Sequence, residues 1–520
     1  MLAVRPRVFH TAGMQGQSDP NPELLDAAAL CRRLVPEGTV EAFLADHRHE
    51  LFPDELFADL FLSDRGRPSV PADVIATVMM LQALEGLSDR DAARALRDRI
   101  SWKVACGLAL DDPGFHPTVL TYWRTRLRAS DRPERIFETV RAVIEATGVL
   151  RGKTRRALDS TLLDDAVATQ DTVSQLISAI RRVRREVPAA AAAVEVGAHD
   201  YDHGAKPVIA WDDPVAKDEL VSALVGDALA VLKAVQKAEL SAEQSEAVGL
   251  LALVAGQDVE PGEEPGTWRI AERVAPDRVI STVDPEARHM HKSRSEYRDG
   301  YKAHLAVEPE TGIITAAALT PANAADGPTG VALLEGEPPG LEVLADSAYG
   351  SGEVREALAQ ASHRAVIKPI PLRAAVPGGF TIDDFTIDES ARTVTCPQGV
   401  TVSLSSRGNA KFGWRCRDCP LRHRCTRSKH GRTMRVHLHH DLLAGARRES
   451  RTEEFQRSYR QLRPMVERSI AWLVAAGHRR VRYRGVARNQ LGLAHRVAAI
   501  NLRRLINLGL DHNGGWVLAT

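Results

Sequence analysis

The sequence predicts a mixed α/β protein that begins with an all-helical segment. Three observations carry that reading: apolar residues recur at helical spacing through the first 150 residues, a strand, helix and strand follow one another around residue 345, and helical spacing returns in the last third. At 520 residues the chain exceeds what a single core accommodates, so more than one domain is expected. Hydrophobic residues make up 44% and charged residues 26%, as in an ordinary soluble chain. No window approaches the ~18 consecutive apolar residues of a membrane span. The opening MLAVRPRVFHTAGMQGQSDP lacks the apolar stretch of an export signal. A cytoplasmic protein with no membrane partner is therefore expected.

Residues 1–150 read as a helical domain. PSVPADVIATVMMLQALEGL opens at Pro71 and is apolar almost throughout, at Val74, Ile75, Val78, Met79 and Leu81. Ser88 is placed to cap SDRDAARALRDRI, and ISWKVACGL and PTVLTYWRTRL follow after short loops. The run through Trp123, Arg124, Thr125 and Arg126 suits a DNA-binding domain and equally a plain bundle.

From Arg151 the pattern changes. RRALDSTLL reads as a strand with Asp159 in its middle, and a helical insertion follows over about 165–280, interrupted by a Pro- and Gly-rich linker, VEPGEEPGTW. GYKAHLAVE and IITAAALTP form a hairpin through Gly312, with Tyr301, Ala303, Leu305 and Val307 alternating with Lys302, His304, Ala306 and Glu308. LEVLADSAYG is an apolar run ending at Asp346, SGEVREALAQA a helix capped by Ser351, and HRAVIKP a second buried strand. That order makes a parallel crossover. A Pro-, Gly- and Thr-rich β-like insertion over about 375–440 holds four cysteines. RSYRQLRPMVERSIAWLVAAG then reads as one helix with Tyr459, Arg463 and Glu467 on a single face.

The formal charge is zero, yet Lys411 to Leu510 carries 24 Lys or Arg against 6 Asp or Glu. Such a segment suits phosphate neutralisation, although a solvated basic face would look the same. Cys396, Cys416, Cys419 and Cys425 are spaced C-x19-C-x2-C-x5-C, as for a tetrahedral structural Zn²⁺, with His423 as an alternative donor and reduced structural thiols as the other reading. Cys31 and Cys106 fall in helical patterns and read as buried residues.

Asp159, Asp346 and Glu467 are the candidate catalytic acids. Cutting phosphodiesters with two divalent ions calls for hard carboxylate ligands, and strand ends of an α/β sheet collect such sites. Singly each is weak: an Asp after a strand is often a cap, and Glu467 could simply pair with Arg463.

Taken together, ALDSTLLDD, GYKAHLAVEPETGIITAAALTPANAAD, VLADSAYGSGEVREAL, YRQLRPMVERSIAWLV, RYRGVARNQ and INLRRL resemble the DDE-type insertion-sequence transposases, and residues 67–127 resemble their helical N-terminal domain. The resemblance implies an RNase H-like catalytic domain over 151–510 with Asp159, Asp346 and Glu467 as its metal-binding acids, served by two Mg²⁺ or Mn²⁺ ions. It implies cleavage of double-stranded DNA at terminal inverted repeats, 3′-hydroxyl strand transfer into target DNA, and a homodimer in a nucleoid-associated synaptic complex. In the family signature Tyr459 stands one residue further from Arg463 than usual, and the expected Lys is Val474. Arg479, Arg480, Arg482 and Arg484 are then the candidate DNA contacts beside Tyr459 and Arg463. A nuclease that does not join ends and an inactive DNA-binding relative are the competing readings.

Overall fold

The computed structural model describes residues 14–18, 25–61, 63, 65–194, 197–202, 206–291 and 297–519. Most of the opening stretch read above for an export signal lies outside these residues. Among the described residues no helix is long and apolar enough to cross a membrane.

The N-terminal helices are α1 (Val40–Leu51), α2 (Ala72–Glu85), α3 (Asp89–Asp98), α4 (Ile100–Cys106), α5 (Thr118–Ala129) and α6 (Arg135–Thr147). Helix α2 is buried on every side from Ala72 to Ala83, as its unbroken apolar run requires. It stops at Gly86, whose left-handed φ of 70° suits a residue without a side chain, and a Cβ there would lie 1.9 Å from the Ala476 carbonyl oxygen. Ser88 caps α3 by accepting from the Asp91 N–H.

Six strands form the main sheet: β1 (Arg155–Asp164), β2 (Arg288–His291), β3 (Tyr297–Val307), β4 (Ile314–Pro321), β5 (Glu342–Ala345) and β6 (Arg364–Ile367). β3 runs antiparallel to β1 on one side, and on the other pairs with β2 along its first residues and β4 along the rest. β1, β5 and β6 are mutually parallel, and α10 (Gly352–Gln360), capped by Ser351, makes the crossover between the last two.

Between β1 and β2 the chain builds a separate helical core from α7 (Thr172–Glu186), α8 (Pro214–Val235) and α9 (Ala242–Gln257), with Leu176, Ile180, Leu224, Val231 and Leu251 buried at its centre. The segment expected to be a linker here is instead a small antiparallel hairpin, Val259–Pro261 against Trp268–Ile270, with its Pro- and Gly-rich residues confined to the tip. The cysteine-bearing insertion folds as a three-stranded and a two-stranded sheet around Phe385, Val394, Ala410 and Phe412.

Two further expectations change. β3 is buried on both faces from Gly300 onward, because the helical layers cover both sides of the sheet; Lys302 donates to the Ala324 carbonyl at 2.7 Å, and Glu308 just after the strand accepts from the Thr311 N–H at 2.7 Å. The single helix expected around Glu467 is two, α11 (Glu453–Leu462) and α12 (Pro464–Val474), because Pro464 has no N–H to continue the ladder and occupies the first turn of a new helix. Arg463 is the residue between them.

The last long helix, α13 (Val486–Asn507), ties the halves together. Leu491, Ala498, Leu502 and Leu505 pack into the core of α1 to α6, while Leu493, Val497 and Ile500 pack on the sheet. Buried Asn501 accepts from the Ile314 N–H at 2.9 Å and donates to the Ile314 carbonyl at 2.8 Å, so the helix closes the free edge of β4.

Candidate active site

β5 and β6 end beside the middle of β1. Ala157 stands beside Leu344 and Leu344 beside Val366, so continuing the register by two residues aligns Asp159, Asp346 and Lys368. Residues of one row in a parallel sheet share a face, and here it is the face on which α11 and α12 pack, through Phe455, Leu462 and Val466.

Asp159 sits within β1, its side chain only 15% exposed, and accepts from the Ser160 N–H at 2.8 Å. Burial raises its carboxyl above the usual range; the Asp346 charge adds to the rise, and Arg463 opposes it. Asp346 terminates β5 and caps the turn that follows, accepting from the Ala348 N–H at 2.9 Å.

Arg463 connects the acids. Its Nη2 lies 2.8 Å from Asp159 and its Nη1 3.7 Å from Glu467 on the next turn. The guanidinium is buried, and Nε and Nη1 have no hydrogen-bond acceptor among the described residues. Glu467 is by contrast two-thirds exposed at the start of α12. Tyr459, one helix earlier, stacks on Phe455 with ring centroids 5.7 Å apart, and burial raises its hydroxyl. The break at Pro464 thus leaves Tyr459, Arg463 and Glu467 together although they occupy two helices.

Sequence reading missed Lys368. Val474, where a lysine was expected, is half-buried beside the sheet core, whereas Lys368 Nζ stands 5.0 Å over the Tyr459 ring. The signal was the segment HRAVIKP itself: its penultimate residue, Lys368, continues the row of Asp159 and Asp346.

A model described as "Transposase DDE domain" matches residues 395–506, and one described as "Transposase domain (DUF772)" matches residues 31–126. Both matches support a DDE-type insertion-sequence transposase. No curated protein and no solved structure matches it. The first match covers the four cysteines, Tyr459, Arg463 and Glu467; Asp159 and Asp346 lie outside both. The transposase family makes the protein's class of function DNA transposition and its class of enzyme one that cleaves nucleic acid.

Several of the transposase's basic residues already have work inside the fold. Arg496 donates to the carbonyls of Ala83, Leu84, Trp472 and Leu473; Arg482 donates to those of Gly86 and Leu87; and Arg447 grips Asp383. Arg479 donates to Thr161 at 2.7 Å and to the Leu162 carbonyl at 2.9 Å, and Arg480 donates to the Asp165 carbonyl at 2.9 Å. Arg484 is exposed. The excess of positive charge in the last third is therefore partly structural mortar and only partly a free surface.

The four cysteines of the transposase line one cavity with Phe380, Phe385 and Phe412. Burial raises the Cys425 thiol, and Cys416, Cys396 and Cys419 raise it further against the pull of Arg432. Their convergence, Cys416 and Cys425 from the ends of two short helices and Cys396 and Cys419 from turns, could hold a soft metal ion. Neither the cysteines nor the three acids bring three donor atoms within 4.8 Å of one another among the described residues.

Proposed function

We propose that this transposase cuts DNA at terminal inverted repeats and transfers the freed 3′-hydroxyl to a target, using Asp159, Asp346 and Glu467 as ligands of two Mg²⁺ or Mn²⁺ ions. The observation that carries the proposal is the alignment of Asp159, in the middle of β1, with Asp346 at the end of the adjacent parallel strand β5, with Glu467 reached through Arg463. The donor set fits: burial and then the Asp346 charge raise the Asp159 carboxyl, a cost that divalent cations offset, and the third carboxylate, Glu467, is two-thirds exposed. Bound metals supply a deprotonated nucleophile and stabilise the leaving oxygen.

The chain's own groups do the positioning. Asp159 and Asp346 are fixed by their strands. Arg463 offers buried N–H donors with spare capacity to a phosphate arriving between Asp159 and Glu467. Lys368 presents its ammonium from the third strand of the row, taking the role the family's lysine would have at position 474. Tyr459 orients that ammonium, and of the four arginines that follow α12 the exposed Arg484 is the proposed DNA contact, Arg479, Arg480 and Arg482 being engaged within the fold. The sheet order, with one antiparallel strand between the hairpin edge and three parallel strands, supports an RNase H-like fold for 151–510. The helices of 1–150 are proposed to bind the transposon end, the cysteine insertion to hold a structural Zn²⁺, and the active assembly to be a homodimer that pairs two ends.

The test is incubation of the purified protein and Mg²⁺ with duplexes spanning the ends of its element and a target plasmid. Nicks at the repeat and joined products are expected, both abolished by Asp159→Asn, Asp346→Asn or Glu467→Gln with DNA binding retained. Nicks without joined products would reduce the activity to that of a nuclease, and activity surviving Asp346→Asn would overturn the site.

A further inference from the structure

A second set of ligating side chains lies far from the acids. His47 and Glu50 on α1 and His512 on the C-terminal strand β7 (Leu510–His512) have ligand atoms all within 4.8 Å of one another. We propose that these three residues bind a first-row transition metal, zinc in the first instance, which clips the end of the chain to its first long helix.

Local structure brings the donors together. His47 and Glu50 are three apart on α1 and so face the same way. His512 is delivered by α13, which packs on α1 and α2 and passes directly into a hairpin of β7 with β8 (Trp516–Leu518). Trp516 fixes both imidazoles: its ring centroid is 4.6 Å from that of His512, 6.0 Å from that of His47 and 5.9 Å from that of Phe43. An apolar wall of this kind holds rings in place without competing for their nitrogens. Asp511 adds a carboxylate oxygen 3.9 Å from His47 Nε2, close enough to become a fourth donor or to orient that imidazole from outside.

The chemistry selects the metal class. Imidazole nitrogens suit Zn, Cu, Fe or Ni, whereas Mg²⁺ and Ca²⁺ demand oxygen sets like that of Asp159 and Asp346. Zn–N and Zn–O bonds near ~2.1 Å place neighbouring donors roughly 3 to 4 Å apart, so side-chain rotations close the site without moving the backbone. The carboxylates of Glu50 and Asp511 balance the dication. Because α1 lies near the start of the chain and β7 near its end, occupancy would hold the terminal hairpin on the helical bundle.

The test uses full-length protein in an Asp159→Ala background, so that metal at the catalytic acids does not contribute. The protein is stripped with chelator, loaded with Co²⁺ and desalted, and metal content and absorption are measured. A His- and carboxylate-bound Co²⁺ gives visible d–d bands without the near-ultraviolet sulfur charge-transfer band of a thiolate site. His512→Ala and Glu50→Gln are expected to lose one equivalent of metal while any sulfur band persists. A Cys416→Ser, Cys419→Ser variant is expected to keep the sulfur-free bands. Glu50→Gln alters an exposed side chain by one atom, so its loss of metal is not a loss of fold. Unchanged metal content and spectrum in both single variants, or loss of all bound Co²⁺ in the cysteine variant, would overturn the proposal.

Discussion

Replacing Arg463 with Ala tests how the acids are held. The pair it forms with Asp159 is nearly out of solvent, with side-chain exposures of 7% and 15% at 2.8 Å. Removing one partner of a buried pair leaves the other charge desolvated and costs about 3 kcal/mol here, the lower end of the usual range, because Asp159 keeps its bond from the Ser160 N–H. The sign with pH follows from Asp159. Its folded carboxyl already titrates above the ordinary Asp value, so its ionisation penalises the fold fully above that folded value, and the penalty fades as pH falls through it. Without Arg463 the folded value rises further. The stability deficit of Arg463→Ala, measured by urea unfolding, should therefore shrink as pH falls from neutrality through the folded value, and adding Asp159→Asn should recover most of it. Mg²⁺ should stabilise the Arg463→Ala variant more than the parent, since a cation replaces the lost guanidinium charge. Additivity of the two substitutions within ~0.5 kcal/mol, or a deficit constant across that pH range, would refute the coupling.

Other outcomes follow from separate parts of the molecule. Asn501→Ala strips the Ile314 N–H and carbonyl of their partners and should cost about 2 kcal/mol or more in unfolding free energy, with amide exchange rising first along β4. His495, at the join between α13 and the N-terminal bundle, is pushed down to about 3 by burial and then by Arg124, so it stays neutral in the fold. The stability this supplies is whole above the unfolded value near 6.5 and is lost as pH falls from there toward about 3; a His495→Gln variant should show a flatter stability curve over that range. Lys368→Met should leave thermal stability unchanged but weaken binding of the cleavage-site duplex by about tenfold, the size of one charge-assisted hydrogen bond, and lower the salt slope by about one. Lys368→Arg restoring neither quantity would argue for packing against Tyr459 alone.

Much of the architecture was legible in the residues because local signals were strong. The apolar run of α2, the caps at Ser88 and Ser351, and the strand, helix and strand around Asp346 each specify their own conformation within a few residues. Asp159 and Asp346 were readable as strand residues, and the phrases around Glu467 carried the family. Other features depended on partners far along the chain. Lys302, His304 and Glu308 look like an exposed face because alternation reports only the strand's own period, and nothing local says that a second layer covers that face. Pro464 was visible, yet a helix that breaks and one that merely starts again around Arg463 differ only in how α11 and α12 pack on the sheet.

By itself, then, the sequence determined the family, the order of helices and strands, and the acidic, basic and sulfur residues available. Only the tertiary structure decided which of them meet. Register across three parallel strands set Lys368 in one row with Asp159 and Asp346, folding gave exposed Arg482 and buried Arg496 backbone carbonyls to bond, and the packing of α13 carried His512 back to His47. The physical reason is that helix and strand propensities act within a few residues, whereas a site is made by close packing of surfaces hundreds of residues apart, which no local pattern encodes.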